Sequence, residues 1–233
     1  MPTPRRIHRI SSVIHTRQPD LAIALDGVHD QHNLSAVLRT ADATGIGHVI
    51  WYPDWRKPEK VNPEVSKGSE KWVKLEIVDD LKTRLQRMKD EGYKIAATHM
   101  AAKAVDFRTL DWTQPWVVVM GNEQSGCSNE ILEVCDENVF LPMYGFVQSL
   151  NISVAAAVTM YEIQRQRQLA GMYDRNMSEE TVEELFDQWK LGEQKYEKSQ
   201  FFKRPSGPMP ESSMPHSDGR AVRKLPKIKA KDE

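Results

Sequence analysis

The feature that most narrows the fold is an alternation. Six short runs of β-branched and aliphatic residues, LAIAL (21–25), HVIWY (48–52), WVKLEIV (72–78), KIAAT (94–98), WVVVM (116–120) and NVFLP (138–142), are separated by segments with helical spacing. The runs are too short for helices, and most are apolar throughout rather than at every second position, as strands covered on both faces require. Helical patterns occupy 33–44, 80–91, 128–135 and 151–168. Gly45 and Gly92 close the first two at the position that favours a left-handed residue. Asp79 stands where the second needs a cap, and Ser128 opens the third with an acid in its first turn. Strands and helices in alternation predict an α/β fold, a mostly parallel sheet with helices on both faces.

Charge divides the chain further. Lys and Arg number 32 and Asp and Glu 33, a formal net charge of −1, which excludes a polycationic coat protein. The sum hides local blocks. Residues 1–18 hold Arg5, Arg6, Arg9 and Arg17 and no acid, 176–193 hold six acids against Lys190, and 203–233 hold eight basic residues against four acids, with five prolines. The expected organisation is a basic N-terminal extension (1–17), the sheet domain (18–168), a helical extension (169–202) and a mobile basic tail (203–233). Within the helical extension, Phe186, Trp189, Leu191, Tyr196 and Phe201 suit docking onto the core or a second subunit. No apolar run approaches the roughly 20 residues of a membrane span, and no apolar stretch follows the first arginines as in a secretory leader. A cytoplasmic location, away from membranes, is expected. Cys127 and Cys135 lack zinc-ligand spacing with the histidines and read as free thiols in a reducing compartment, with no metal.

In an open parallel sheet, ligands bind beyond the carboxyl ends of the strands, and three of the loops there are unusual. GVHDQHNLSAVLRTADATGIG places Asn33 at a helix mouth and Arg39 six residues on, among Ala36, Val37 and Leu38. A guanidinium in apolar company needs a carboxylate or phosphate partner, although a solvated surface arginine is the plainer reading. MGNEQSGCS offers Gly121 and Gly126 for close backbone approach and Glu123 near a helix start, where capping is its simplest use. No lysine follows Gly126, so a Walker-type phosphate loop is excluded. LPMYGFVQSLNISVAAAVTMYE crowds Gln148, Ser149 and Asn151 at a turn into an alanine-rich helix. Singly these are ordinary caps. Three small and polar loops at successive strand ends exceed what capping requires.

In order and spacing, NLSAVLRTADATGIG, VVVMGNEQSGCS and LPMYGFVQSLNISVAAAVTMYE resemble the signature motifs of the SpoU class of the SPOUT superfamily, the knotted 2′-O-ribose RNA methyltransferases. The resemblance runs from about Gln18 to Arg167. ATHMAAKAVDF, the IQRQRQLAGMY continuation and the basic front end are similar to the tRNA guanosine-2′-O-methyltransferases of that class, which act on the D-loop guanosine at tRNA position 18. The resemblance implies a C-terminal deep trefoil knot, with Gly145 and the alanines letting backbone pass backbone, and short helical extensions at both ends. It also implies a homodimer whose sites draw on both subunits.

As cofactor it implies S-adenosyl-L-methionine, leaving as S-adenosyl-L-homocysteine, held by Thr98, His99, Met120, Gly121, Leu141, Met143 and Leu150 without a metal. Arg39 is implied as general base, assisted by an RNA phosphate. Because a guanidinium keeps its proton, phosphate binding and orientation of the hydroxyl are an equal reading. Asn33 would hold Arg39 or the ribose, Glu123 and Ser149 would position substrate and motif loops, and Asn151 would support the cofactor end. Arg165, Arg167 and Arg175 are implied tRNA contacts, and Arg5, Arg6 and Arg9 are expected to add phosphate contacts. Arg165 and Arg167 diverge by about 200° on a helix and so face different partners. Two alternatives stay open: the same chemistry at another tRNA position or on rRNA, and a non-catalytic RNA-binding protein on this fold.

Overall fold

The computed structural model describes residues 3–53, 63–66, 68–101, 103–122 and 126–210. The basic front end opens into helix α1, Pro4–Ile14, because Thr3 accepts a hydrogen bond from the Arg6 amide and proline fits the first turn. Strand β1, Leu21–Asp26, is buried along its whole length. Helix α2 is Gln31–Thr44; it begins two residues before Asn33 because Asp30 caps it by accepting from the His32 amide, and it ends on Gly45 at φ 82°. Then come β2, His48–Tyr52, the single turn α3, Pro63–Ser66, and β3, Lys74–Ile77. β3 is shorter than the 72–78 run because Trp72 closes a 3-10 turn over Ser69–Lys71.

Helix α4 is Leu81–Asp90 and is capped by Asp80, which accepts from the Thr83 amide, rather than by Asp79. A cap must reach an amide two or three residues on, and for a helix starting at Leu81 only the second aspartate is so placed. β4 is Lys94–Thr98, β5 is Val105–Asp106 and β6 is Trp116–Met120. α5, Asn129–Leu132, stops well short of residue 135, and Ser128 makes no side-chain capping bond. β7, Glu137–Phe140, follows. α6, Ile152–Leu169, starts on Asn151, and α7, Glu179–Gln188, starts on Ser178.

The seven strands form one sheet in the order β3-β2-β1-β6-β4-β7-β5, and every pairing of these strands is parallel. The order is compatible with the knotted path that the resemblance implies. β1 shows why an unbroken apolar run is needed. Leu21, Ile23 and Leu25 point into the core shared with Leu34, Val37 and Leu38 of α2 and with Ala156, Met160 and Ile163 of α6. Ala22 and Ala24 point the other way, against Leu81, Leu85 and Met88 of α4 and Ile131 of α5. Each large side chain buried in this way stabilises the fold by about 1.5–3 kcal/mol.

A third core joins the two terminal extensions. Ile10 and Ile14 of α1 pack with Met177, Val182, Phe186, Trp189, Leu191, Tyr196 and Phe201. The apolar stripe of the C-terminal extension therefore docks on α1, and the two extensions form one packed unit. Gly145 does not serve a close crossing within the protomer, since a Cβ there would meet nothing within 4 Å.

Candidate active site

The ends of β6, β4 and β7 lie side by side, and the segments that follow them enclose a cleft of about 230 Å³. Thr98 and His99 enter it from β4, Met120 and Gly121 from β6, Leu141 and Met143 from the segment after β7, and Ser149 and Leu150 from the turn before α6. The seven residues expected around a cofactor thus line one cleft, together with Ser149.

The cleft depends on Gly121. A Cβ there would lie 2.2 Å from the Cys127 amide nitrogen and 2.2 Å from the Gly126 carbonyl carbon, so only glycine lets the chain return this close. The turn is closed by two backbone hydrogen bonds, Asn122 N to Gly126 O at 2.9 Å and Gly126 N to Asn122 O at 2.8 Å. Glu123, between them, lies outside the described residues. Asn122 fastens the turn to the segment after β1, its Nδ2 donating to Gly27 O at 2.7 Å and to His29 Nε2 at 3.2 Å. Asp26, at the end of β1, accepts from the Ser128 amide at 2.7 Å. Burial, followed by the charge of Asp26, pushes the Cys127 thiol far above its ordinary range, and burial pushes Cys135 up to about 12; both are inert thiols. Among the described residues no cluster of His, Cys, Asp and Glu could hold a metal.

Sequence reasoning does not single out Asp26 or Asn122. Asn122 was within reach, since it sits beside Gly121 in the same motif. Asp26 terminates an apolar strand and carries no local signal of its distant partner.

The other expected catalytic residues are distributed. Asn33 is buried in the first turn of α2. Arg39 lies on the exposed face of that helix, not among the apolar neighbours its spelling suggests, and no hydrogen bond or ion pair engages it among the described residues. Neither residue lines the cleft. Asn151 caps α6, its Oδ1 accepting from Ser153 N at 2.9 Å and Ser153 Oγ at 2.6 Å.

The expected tRNA contacts divide as well. Arg9 is exposed, Arg5 is half-buried, and Arg6 donates to Gln194 Oε1 at 3.3 Å. Arg165 is exposed and forks onto Glu162 at 2.8 and 2.7 Å, and Arg175 lies 3.9 Å from Asp20. Arg167 must be corrected. It is fully buried, pairs with Asp20 at 2.6 Å, and donates to the backbone oxygens of Trp112 and Gln114 and to Gln18 Oε1. All of its donors face the protein interior, so it braces the base of the sheet and presents nothing to RNA.

A parallel α/β domain with its cleft at the ends of the central strands defines a class. Residues 20–161 match the model of the SpoU rRNA Methylase family, and the chain belongs to that family. It is 42% identical over 186 residues to the tRNA (guanosine(18)-2'-O)-methyltransferase of Aquifex aeolicus (strain VF5), covering 79% of this chain and 88% of that relative. Among solved structures, the A. aeolicus TrmH/SpoU tRNA modifying enzyme is similar with TM-score 0.76 and 41% identity, over 81% of this chain and 96% of that one. The SpoU methyltransferase AviRb from Streptomyces viridochromogenes, in complex with the cofactor AdoMet, is similar with TM-score 0.58 and 25% identity, over 65% and 62% of the two chains.

Proposed function

We propose that this chain is a tRNA 2′-O-methyltransferase that moves the methyl group of S-adenosylmethionine to the ribose 2′-hydroxyl of the D-loop guanosine at tRNA position 18. The observation that carries the reading is the cleft at the ends of β4, β6 and β7, where the segments of the second and third sequence motifs meet. Family membership and the named relatives support the choice of substrate. The cleft suits the cofactor. Gly121 admits close backbone approach, Met120, Leu141, Met143 and Leu150 offer apolar faces to a flat base, and strand ends offer backbone donors and acceptors. When bound, S-adenosylmethionine supplies an electrophilic methyl on a sulfonium and leaves as S-adenosylhomocysteine.

The chain's own part is positioning. Arg39 presents a guanidinium with no carboxylate partner among the described residues, which suits it to grip an RNA phosphate bidentately and align the adjacent hydroxyl. Its Nη groups act as donors throughout, and the hydroxyl proton passes to solvent water late, as the O–CH3 bond forms and the S–CH3 bond breaks. Ser149 at the cleft rim orients the acceptor side, Asn33 steadies the start of α2, Asn151 fixes the start of α6, and Glu123 positions the loop after β6. Arg5, Arg6, Arg9, Arg165 and Arg175 supply phosphate contacts.

The working form is a homodimer. Arg39 and Asn33 stand apart from the cleft lining, and Val154, Val158 and Tyr161 on α6, with Tyr144 at 94% and Phe146 at 109% exposure, leave an apolar surface of the kind a second copy covers. Among the described residues no helix is long and apolar enough to cross a membrane; the cytoplasm, where tRNA is modified, is the assigned location. Methyl incorporation into unmodified tRNA, with and without a guanosine-to-adenosine change at position 18, tests the reading. Incorporation that survives the change moves the target to another nucleotide, and no incorporation into any RNA leaves a binding protein.

A further inference from the structure

Arg17 is buried almost as completely as Arg167, with 2% of its side chain exposed. It lies in the link from α1 to β1, yet its guanidinium reaches three other elements. Nη2 donates to Asp42 Oδ1 at 2.6 Å and to Trp72 O at 3.3 Å, and Nη1 reaches Asp42 O at 3.4 Å. The guanidinium carbon lies 5.3 Å from the centroid of the Trp189 ring. Trp189 in turn donates Nε1 to the same Trp72 oxygen at 3.1 Å and meets the Trp72 ring edge-on at 5.2 Å. Asp42 stands three residues after Arg39, one turn along α2. The end of that helix is held twice more, by the C-terminal extension through Tyr173 Oη to Thr44 O at 2.5 Å and by the start of the sheet domain through Gln18 N to Gly45 O at 2.9 Å.

We propose that Arg17 is a positioning residue for methyl transfer: it clamps the last turns of α2, and through them Arg39, to the docked terminal extensions. The inference rests on the methyltransferase reading. A planar fork is required, because it must bind a carboxylate in its plane while stacking on an indole, and an ammonium cannot do both. A cation near the carboxyl end of α2 also complements the helix dipole. The consequence is that the extension carrying Arg5, Arg6 and Arg9 and the helix carrying Arg39 move as one body.

The test uses the full-length protein with Arg17→Lys, Asp42→Asn and Asp42→Glu. kcat and KM for unmodified tRNA are measured at saturating S-adenosylmethionine, with the salt dependence of tRNA binding and amide hydrogen exchange over residues 41–45. Arg17→Lys and Asp42→Asn are expected to lower kcat about 10–100-fold, the scale of a small misplacement of a reacting group. KM should stay within about threefold and the salt slope should be unchanged, while Asp42→Glu recovers most of kcat. Exchange in the last turn of α2 should quicken in both defective variants. Wild-type kcat in folded Arg17→Lys, or a loss carried by KM and salt slope, overturns the clamp; the latter would make Arg17 an RNA ligand. If Arg17→Lys does not fold, Asp42→Asn carries the same comparison from a partly exposed position. Should the wild type be silent on tRNA, the functional reading falls, and the exchange measurement alone decides the clamp, unchanged exchange refuting it.

Discussion

Gly121→Ala puts the tightest point of the cleft under strain. The new methyl would stand 2.2 Å from the Cys127 nitrogen and the Gly126 carbonyl carbon, where ordinary contact begins at 3.4 Å. Both neighbours are main-chain atoms, so no rotamer relieves the overlap and the turn itself must open by about 1.2 Å. That movement pulls on the paired hydrogen bonds between Asn122 and Gly126. Overpacking costs about 1–3 kcal/mol and a lost hydrogen bond about 1 kcal/mol, so stability should fall by roughly 2–4 kcal/mol, or about 4–16 °C in thermal midpoint for a chain of this size. Because the displaced turn borders the cleft, S-adenosylhomocysteine should bind at least about tenfold more weakly, a loss of about 1.4 kcal/mol. Calorimetric melting and titration with S-adenosylhomocysteine measure both effects. Gly145→Ala, whose Cβ meets nothing within 4 Å inside the protomer, is the comparison for protomer stability. Wild-type affinity and wild-type melting in Gly121→Ala would refute the argument.

Arg39→Ala removes an exposed side chain without partners among the described residues, so stability should hold within about 0.5 kcal/mol while turnover falls by about 10²–10⁴; near-normal methyl transfer rules out both roles for Arg39. Arg167→Ala should do the reverse. It strands Asp20 and the Trp112 and Gln114 carbonyls, costing about 3–5 kcal/mol in urea unfolding, and a variant of wild-type stability would show that the buried pair is not structural. His15 sets a pH dependence. Its Nδ1 accepts from the Met177 amide and its Nε2 donates to Phe201 O, and burial, outweighing the hydrogen bond to the Phe201 carbonyl, lowers its pKa below the ordinary 6.5. The unfolded chain therefore takes up the proton first, so stability is full above about pH 6.5 and falls as the pH drops through the folded-state value. His48, also lowered chiefly by burial, shifts stability with pH in the same direction. Melting from pH 8 to pH 5 should show a shallower decline in His15→Gln than in the wild type, and parallel declines would dismiss His15 as the source.

Features with a local cause were legible in the sequence. The run LAIAL announces a strand covered on both faces because each residue from Leu21 to Leu25 faces one of two helix layers. Gly45 announces the end of α2 because its left-handed φ of 82° is needed wherever the helix sits. The motif loops were legible because their small residues serve close approach, as Gly121 does. Features with a distant cause were not. That Arg165 and Arg167 diverge was legible from helix geometry, but which of them turns inward is decided by a partner, Asp20, 147 residues away from Arg167. Arg39 looked enclosed because Val37 and Leu38 adjoin it in sequence, while on the helix they face the core and it does not. The two-residue β5 is too short to carry a pattern, and it exists because β7 offers an edge.

The shared core of the extensions has a consequence for how the protein is made. His15 and Phe201, joined by one hydrogen bond, are 186 residues apart, so α1 emerges from the ribosome long before anything exists to cover Ile10 and Ile14. The sheet can condense before the C-terminal extension is made, because all seven strands and α6 lie before Ala170. The arm then waits, greasy on one side and basic on the other, until synthesis has passed the aromatic residues that seat it. A chain broken off before Met177 would therefore hold every residue that lines the cleft beside an unseated arm, and would betray itself to chaperones and proteases through its first helix rather than its last.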